Sequence, residues 1–547
     1  MQGDSFSVTG NLVDVWKKSI YPAEIRVEYG VIQSIKPLDV SPFTHYILPG
    51  FIDSHVHVES SMLVPSEFAR LAVVHGTVGT ISDPHEIANV CGMEGVEFMI
   101  RNGKQVPFKF NFGAPSCVPA TVFETAGASL SSDDVQQLLE KDEIRYLSEM
   151  MNFPGVLSKD PEVMKKIAAA HTLGKPVDGH APGLRGDKAR EYIEAGISTD
   201  HECFTKEEAL DKLSYGMHIL IREGSAAKNF EALIDLLHDH PKMIMFCSDD
   251  KHPDSLMEGH INQLCARAVA KGIDIFPVLR AACVNPVLHY HLDIGLLREG
   301  DPADFIIAED LTHFRVKQTY IDGKLVADNG KTKIGPVDIT PINQFHCEEI
   351  TAADLAIRIQ DYPSQEGLIP VIEALDGQLI TNKLMLPGKQ DNGCWVSDMD
   401  TDVLKMVVVN RYKPSPVAKC FIRNFGFRSG AIASSVAHDS HNIVAVGADD
   451  ESLVKAINLV IRERGGVSCC TEDASSVLSL PVAGLMSARN GYDVAKEYTA
   501  IDAMAKSLGS SLAAPFMTLS FMALLVIPHL KLSDLGLFDG DSFSLVK

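Results

Sequence analysis

Two histidines separated by one apolar residue, His55-Val56-His57, lie in the segment Pro49-Gly-Phe-Ile-Asp-Ser-His-Val-His-Val-Glu59. In an extended strand successive side chains alternate between faces, so both imidazoles point the same way. Neutral imidazole is the commonest protein ligand for first-row metals, and a strand end fixes two rings without a loop to order. The pair is half of a candidate metal site, although an isolated H-x-H is more often a satisfied polar pair than a ligand pair. Its meaning depends on the ligand-type residues that the rest of the chain places beside it.

Those residues fall at regular places. Asp83-Pro84-His85-Glu86, Glu149, His180, His201 and Asp249-Asp250 each close a short apolar run of β character, and amphipathic segments of helical period separate the runs. After a first strand at 49–57, strands are expected at 76–82, 106–113, 144–149, 176–180, 197–201, 217–223 and 243–248. Helices are expected near 66–75, 92–102, 131–141, 187–195, 206–215 and 229–238, with one more whose ends are best marked. That helix has Asp160 as N-cap, Pro161 in its first turn, Val163, Ile167 and Ala170 on one face, and Gly174 beyond its end. Eight β-then-α units within 47–292 define a (β/α)8 TIM-like barrel, an α/β fold whose active site lies at the carboxyl ends of the strands. Ligand-type side chains close the first, second, fourth, fifth, sixth and eighth strands, and scattered core histidines have no physical reason to choose those positions. His75, His218 and His238 lie within or beside expected helices and are read as structural.

A chain of 547 residues exceeds what one core usually supports, so two or three domains are expected. The 49 basic residues against 72 acidic give a net charge of -23, which repels nucleic acid and anionic membrane and favours a small neutral or cationic substrate. The 11 cysteines include no C-x-x-C pair, so neither a disulfide framework nor a zinc ribbon is indicated and a reducing cytoplasm is expected. No signal peptide is visible at the N-terminus, and the apolar stretch Phe516 to Ile527 is too short to span a bilayer and reads as a buried helix. Alternating segments at 1–48 and 300–345 suggest one small composite β-sheet domain from both flanks of the barrel at 49–299. Beyond them 346–547 reads as a C-terminal α+β domain, with strand-like runs at 404–410, 418–424 and 442–447 and a helix at 451–464 ended by Gly465-Gly466. Within it His438-Asp439-Ser440-His441-Asn442 lies between strand-like runs, as a loop that closes over the barrel mouth or else a polar hairpin or subunit contact.

Taken together, these residues resemble the amidohydrolase superfamily. The opening Pro49 to His57, the histidines ending the fifth and sixth strands and Asp249 ending the eighth carry the likeness, and the flanking β segments match its companion sheet domain. The segments His55–Ser61, Ser82–Val90, Cys247–Asp250, His438–Asn442 and Pro515–Met522 are similar to a purine-base aminohydrolase branch of that superfamily, along nearly the whole chain. The resemblance implies that His55 and His57 hold one divalent metal and His180 and His201 a second, with Glu149 bridging them in place of the carbamylated lysine that many relatives use. It also implies that Asp249 completes the first site and serves as a general base. Period-2 alternation lets only one of Asp249 and Asp250 face the barrel axis, and the family pattern favours Asp249. Two ions of Mn2+ or Fe2+ suit imidazole and carboxylate donors without thiolate, and Zn2+ is compatible too.

The implied reaction is hydrolytic deamination of adenine to hypoxanthine and ammonia, in purine salvage, by hydroxide attack at C6. Glu86 is expected to contact or protonate the purine, while Asp83 and His85 orient the site or bind an additional cation. The structural alternative is a turn in which Asp83 or Glu86 caps the following backbone. Two rival readings keep the barrel: a binuclear hydrolase of a cyclic amide or dipeptide, and a metal-binding scaffold without catalysis. A homodimer is expected.

Overall fold

The computed structural model describes residues 5–40 and 42–546. Eight short strands follow one another in sequence order: β1 (Phe51–Val56), β2 (Thr77–Ser82), β3 (Lys109–Ala114), β4 (Ile144–Met150), β5 (Val177–Gly179), β6 (Thr199–Asp200), β7 (His218–Arg222) and β8 (Ile244–Cys247). β1 to β5 form one parallel sheet and β6 to β8 another. Backbone bonds close both gaps. Ser198 N donates to Val177 O at 2.9 Å between β5 and β6, and Asp249 N donates to His55 O at 2.9 Å where the chain leaving β8 meets β1. Every residue of β1, β2 and β8 is buried, as expected of parallel strands covered on both faces.

The helices between the strands form where their caps and apolar faces dictate. Asp160 Oδ1 accepts from Glu162 N at 2.9 Å and from Val163 N at 3.1 Å, starting the helix Pro161–Thr172, and Gly174 turns the chain beyond it with φ +67°. Three expectations change. The helix placed at 92–102 runs from His85 to Gly103 with a break at Gly92, because its first turns are buried at the barrel mouth and show no amphipathic face. The segment 229–238 makes two short helices, Phe230–Leu233 and Leu236–Asp239, and the helix read over 516–527 is Pro515–Phe521, followed by buried turns. His218 opens β7, inside the strand expected at 217–223 and just beyond the helix Lys206–Ser214.

Pieces from both sides of the barrel meet in one eight-stranded sheet. Tyr46–Pro49 pairs with Phe305–Ala308 on one edge and with Ser5–Asp14 on the other. A second eight-stranded sheet is built from strands between Leu368 and Ser479, and the helix Asp450–Glu463 packs on it through Leu453, Ala456, Ile457 and Val460. The last described residues form a three-stranded antiparallel sheet that begins with a hairpin of Leu530–Ser533 and Gly536–Asp539 and adds Ser544–Leu545. Among the described residues no helix is long and apolar enough to cross a membrane.

Candidate metal centre

The carboxyl ends of the strands converge on a buried group of donors. The Nε2 atoms of His55 and His57 lie 3.2 Å apart, and Asp249 Oδ1 lies 3.5 Å from the first and 3.2 Å from the second. Glu149 at the end of β4 turns Oε1 to His57 Nε2 at 3.4 Å, and turns Oε2 to His180 Nδ1 at 2.8 Å and His201 Nε2 at 3.2 Å. Its two oxygens therefore face two different histidine groups. Donor atoms about 2.1 Å from one cation, at angles of about 90 to 109°, stand about 3.0 to 3.4 Å from one another. These separations fit that spacing, and the sets His55/His57/Asp249 and His55/Glu149/His201 are each close enough to share an ion. The residues present fit a pair of divalent cations.

The electrostatics agree with that fit. Burial pushes the Glu149 carboxyl up, but His180 and His201 outweigh it and hold the group well below the usual carboxylate range. Burial likewise opposes the charge of Asp249, and Arg222 with His55 and His57 reverses the effect. Burial lowers the His57 imidazole, yet Asp249, Asp250 and Glu149 leave it raised well above its ordinary value, and His180 is raised to about 9 by Glu202 and Glu149 against burial. The surplus of negative charge that draws protons onto these rings is what divalent cations neutralise when they replace the protons.

One expectation is overturned at the end of β8. The strand stops at Cys247 and Asp249 adopts left-handed backbone, φ +55°, so period-2 alternation no longer applies. Asp249 and Asp250 both line the chamber, the first facing the histidines and the second within 3.8 Å of His438 Nε2.

Two buried residues escaped the sequence reading. Arg222, at the end of β7, forks both oxygens of Glu202, with Nη2 to Oε2 at 3.0 Å, and donates Nη1 to Asp249 Oδ2 at 2.7 Å. Glu202 Oε1 lies 3.4 Å from His201 Nε2. The available signal was a strand-end arginine, which when buried requires a carboxylate partner, beside a carboxylate directly after His201.

The Asp83-Pro-His-Glu86 turn serves backbone and site together. Asp83 Oδ1 accepts from His85 N at 3.1 Å, while Oδ2 faces His85 Nδ1 at 3.1 Å, and that nitrogen stands 3.5 Å from Glu149 Oε1. Glu86 is buried behind the chamber and is not among its lining residues. Burial raises its carboxyl above the usual range, with Asp250 adding to the effect. Ser60 Oγ lies 2.8 Å from Glu86 Oε1 and 2.6 Å from Asp250 Oδ1. His441 Nδ1 accepts from Ala437 N at 3.2 Å and its Nε2 faces Glu86 Oε2 at 3.8 Å; His441 is not among the residues lining the chamber.

The His438 loop does reach the barrel mouth. It connects Ala431–Ser434 to Ile443–Gly447, places Asp439 Oδ1 3.5 Å from His85 Nε2, and stacks the His438 ring on Phe521 at 5.0 Å and 25°. Met151, Leu379, Phe521 and Leu524 supply an apolar wall to the chamber whose other walls are the donors above.

Barrel and donor set together define a hydrolase class. Residues 46–326 match the model described as Amidohydrolase family, and residues 378–544 match that described as Adenine deaminase C-terminal domain. The chain is 56% identical to the adenine deaminase of Salinibacter ruber over 544 residues, covering 99% of this chain and 98% of that protein. It is 55% identical to the adenine deaminase of a Sulfurovum species, with 98% of each chain covered, and 49% identical to that of Borreliella burgdorferi, covering 99% and 100%. The chain belongs to the adenine deaminases of the amidohydrolase family.

Proposed function

We propose that this chamber hydrolyses adenine to hypoxanthine and ammonia, with His55, His57 and Asp249 holding one divalent cation, His180 and His201 a second, and Glu149 between them. The observation that carries the reading is the orientation of Glu149, whose two oxygens face separate histidine groups. Divalent cations held by these residues would lower the pKa of a bound water toward about 7 and so would supply hydroxide at neutral pH. Imidazole and carboxylate donors without thiolate suit Mn2+ or Fe2+.

The chain's own groups handle orientation and protons. Arg222 fixes Asp249 Oδ2, which leaves Oδ1, the oxygen turned to His55 and His57 that would hold the cation, with a second lone pair able to accept a proton without rotation. Exchange of the C6 amino group for oxygen also needs a proton at the adjoining ring nitrogen. The Ser60 hydroxyl stands within hydrogen-bond distance of both carboxyl groups, of Glu86 and of Asp250, and so can relay a proton between them. Glu86 and Asp250 are both buried, but only Asp250 lines the chamber, so a proton from Glu86 would reach the substrate side through Ser60 and Asp250. Phe521 and the His438 ring stacked on it present a flat aromatic wall for a purine. Purified, metal-replete protein is expected to consume adenine with one ammonia released per base. No loss of adenine absorbance would sink the reading and favour a cyclic amide or dipeptide as substrate.

A further inference from the structure

The C-terminal hairpin is remote in sequence from every strand of the barrel, yet it carries Lys531, whose side chain is fully buried. Lys531 Nζ donates to Leu379 O at 2.7 Å and to Phe521 O at 2.9 Å. Both acceptors belong to residues that line the chamber. They come from separate stretches: Leu379 from the turn between strands Leu368–Ala374 and Thr381–Pro387, and Phe521 from the last turn of the helix Pro515–Phe521, where carbonyls have no partner within the helix.

A lysine so deeply buried normally faces a carboxylate. Lys212 faces Asp200 and Glu208, and Lys405 faces Asp450. Among the described residues none stands within ion-pair reach of Lys531, and burial pushes its amine down to about 7. A neutral amine still offers two N–H groups, one for each carbonyl. The hairpin also holds the residue after Phe521, since Leu532 N donates to Met522 O at 3.0 Å. Phe521 in turn carries His438, which lies 3.8 Å from Asp250.

We propose that Lys531 is a positioning residue for the purine, fixing Leu379 and Phe521 so that the apolar roof of the chamber stands at the height of a flat ring. The inference rests on the reading of this chamber as the adenine site. K531M keeps the apolar stem and removes both donors. In holoenzyme of unchanged metal content it is expected to raise the KM for adenine about tenfold with kcat changed less than about threefold, and to weaken inhibition by hypoxanthine by the same factor as KM. F521A should raise KM by itself, and K531M/F521A should raise it no further, as for two residues acting through one contact.

A folded, metal-replete K531M enzyme with wild-type KM overturns the inference, and so do additive effects in the pair. A merely structural lysine would lower the melting temperature while leaving KM of the folded enzyme unmoved. Should K531M not fold, K531Q, whose amide carries two N–H groups on a stem too short to reach both carbonyls, takes its place. There a KM rise of at least about threefold is expected, and an unchanged KM overturns the proposal. Absence of adenine turnover in the wild-type protein overturns the functional reading and this inference with it; wild-type turnover with an unmoved KM in the variant overturns this inference alone.

Discussion

Glu149 joins the two halves of the centre, because Oε1 faces His57 and Oε2 faces His180 and His201. A glutamine keeps its shape but offers only one oxygen and no charge, so neither half retains its full donor set. E149Q is expected to hold fewer than two metals per chain and to lose at least about a hundredfold in kcat, read by metal analysis and adenine assay on the same preparation. Two metals per chain in that variant would show that the carboxylate does not bridge. Ser60 belongs to the proton side rather than the metal side, since its hydroxyl touches Glu86 and Asp250 and none of the histidines. S60A should therefore retain its metals and a near-normal KM while kcat falls about ten- to a hundredfold, within the range assigned to positioned proton transfer. Loss of metal in S60A would instead place the hydroxyl in the metal centre.

The elements that carry these residues differ in how far local sequence announces them. β1 to β8 were legible because each is a short apolar run with a helix after it, and His55, His57, Glu149, His180 and His201 were legible because position at a strand end is a local property. Asp250 was misjudged for a local reason too: alternation was carried past Cys247 into residues where Asp249 has already left the strand conformation. Glu202 and Arg222 were missed because their contact crosses from the end of β6 to the end of β7, and no spacing in sequence records such a pair. The reach of the His438 loop and of Phe521 depends on how the later sheet packs against the barrel, which no periodicity encodes. Where capping is local, the consequence is local as well. D160A removes two hydrogen bonds from the start of Pro161–Thr172, a helix on the barrel exterior, and should lower stability by about 1 kcal/mol. Its kcat and KM should match wild type, and a changed KM in denaturation-matched samples would show that this helix transmits strain to the chamber.

On the scale of the whole molecule, the chamber is a joint product of the barrel and the segments after residue 346, since the donors come from the one and Leu379, His438, Phe521 and Leu524 from the other. Metals held as proposed among β1, β4, β5, β6 and the end of β8 would stabilise the folded chain by mass action, so chelation should lower the thermal midpoint, and re-addition of Mn2+ should restore it. Lys531 gives the assembly a second, independent signature in pH. Burial holds its folded-state pKa at about 7, whereas an unfolded lysine titrates near about 10.4. Between those values the unfolded chain keeps a proton that the folded chain has released, so stability rises with pH, with a limiting slope of about 1.4 kcal/mol per pH unit. Below pH 7 both states are protonated and the slope vanishes. K531M has no proton to release at this position, so the comparison isolates the amine from every other titrating group. The thermal midpoint of wild type relative to K531M should therefore climb between pH 7 and pH 9 while both variants stay metal-replete. A constant difference across that range would mean that the amine keeps its proton in the fold, and hence that three N–H donors rather than two act on the roof of the chamber.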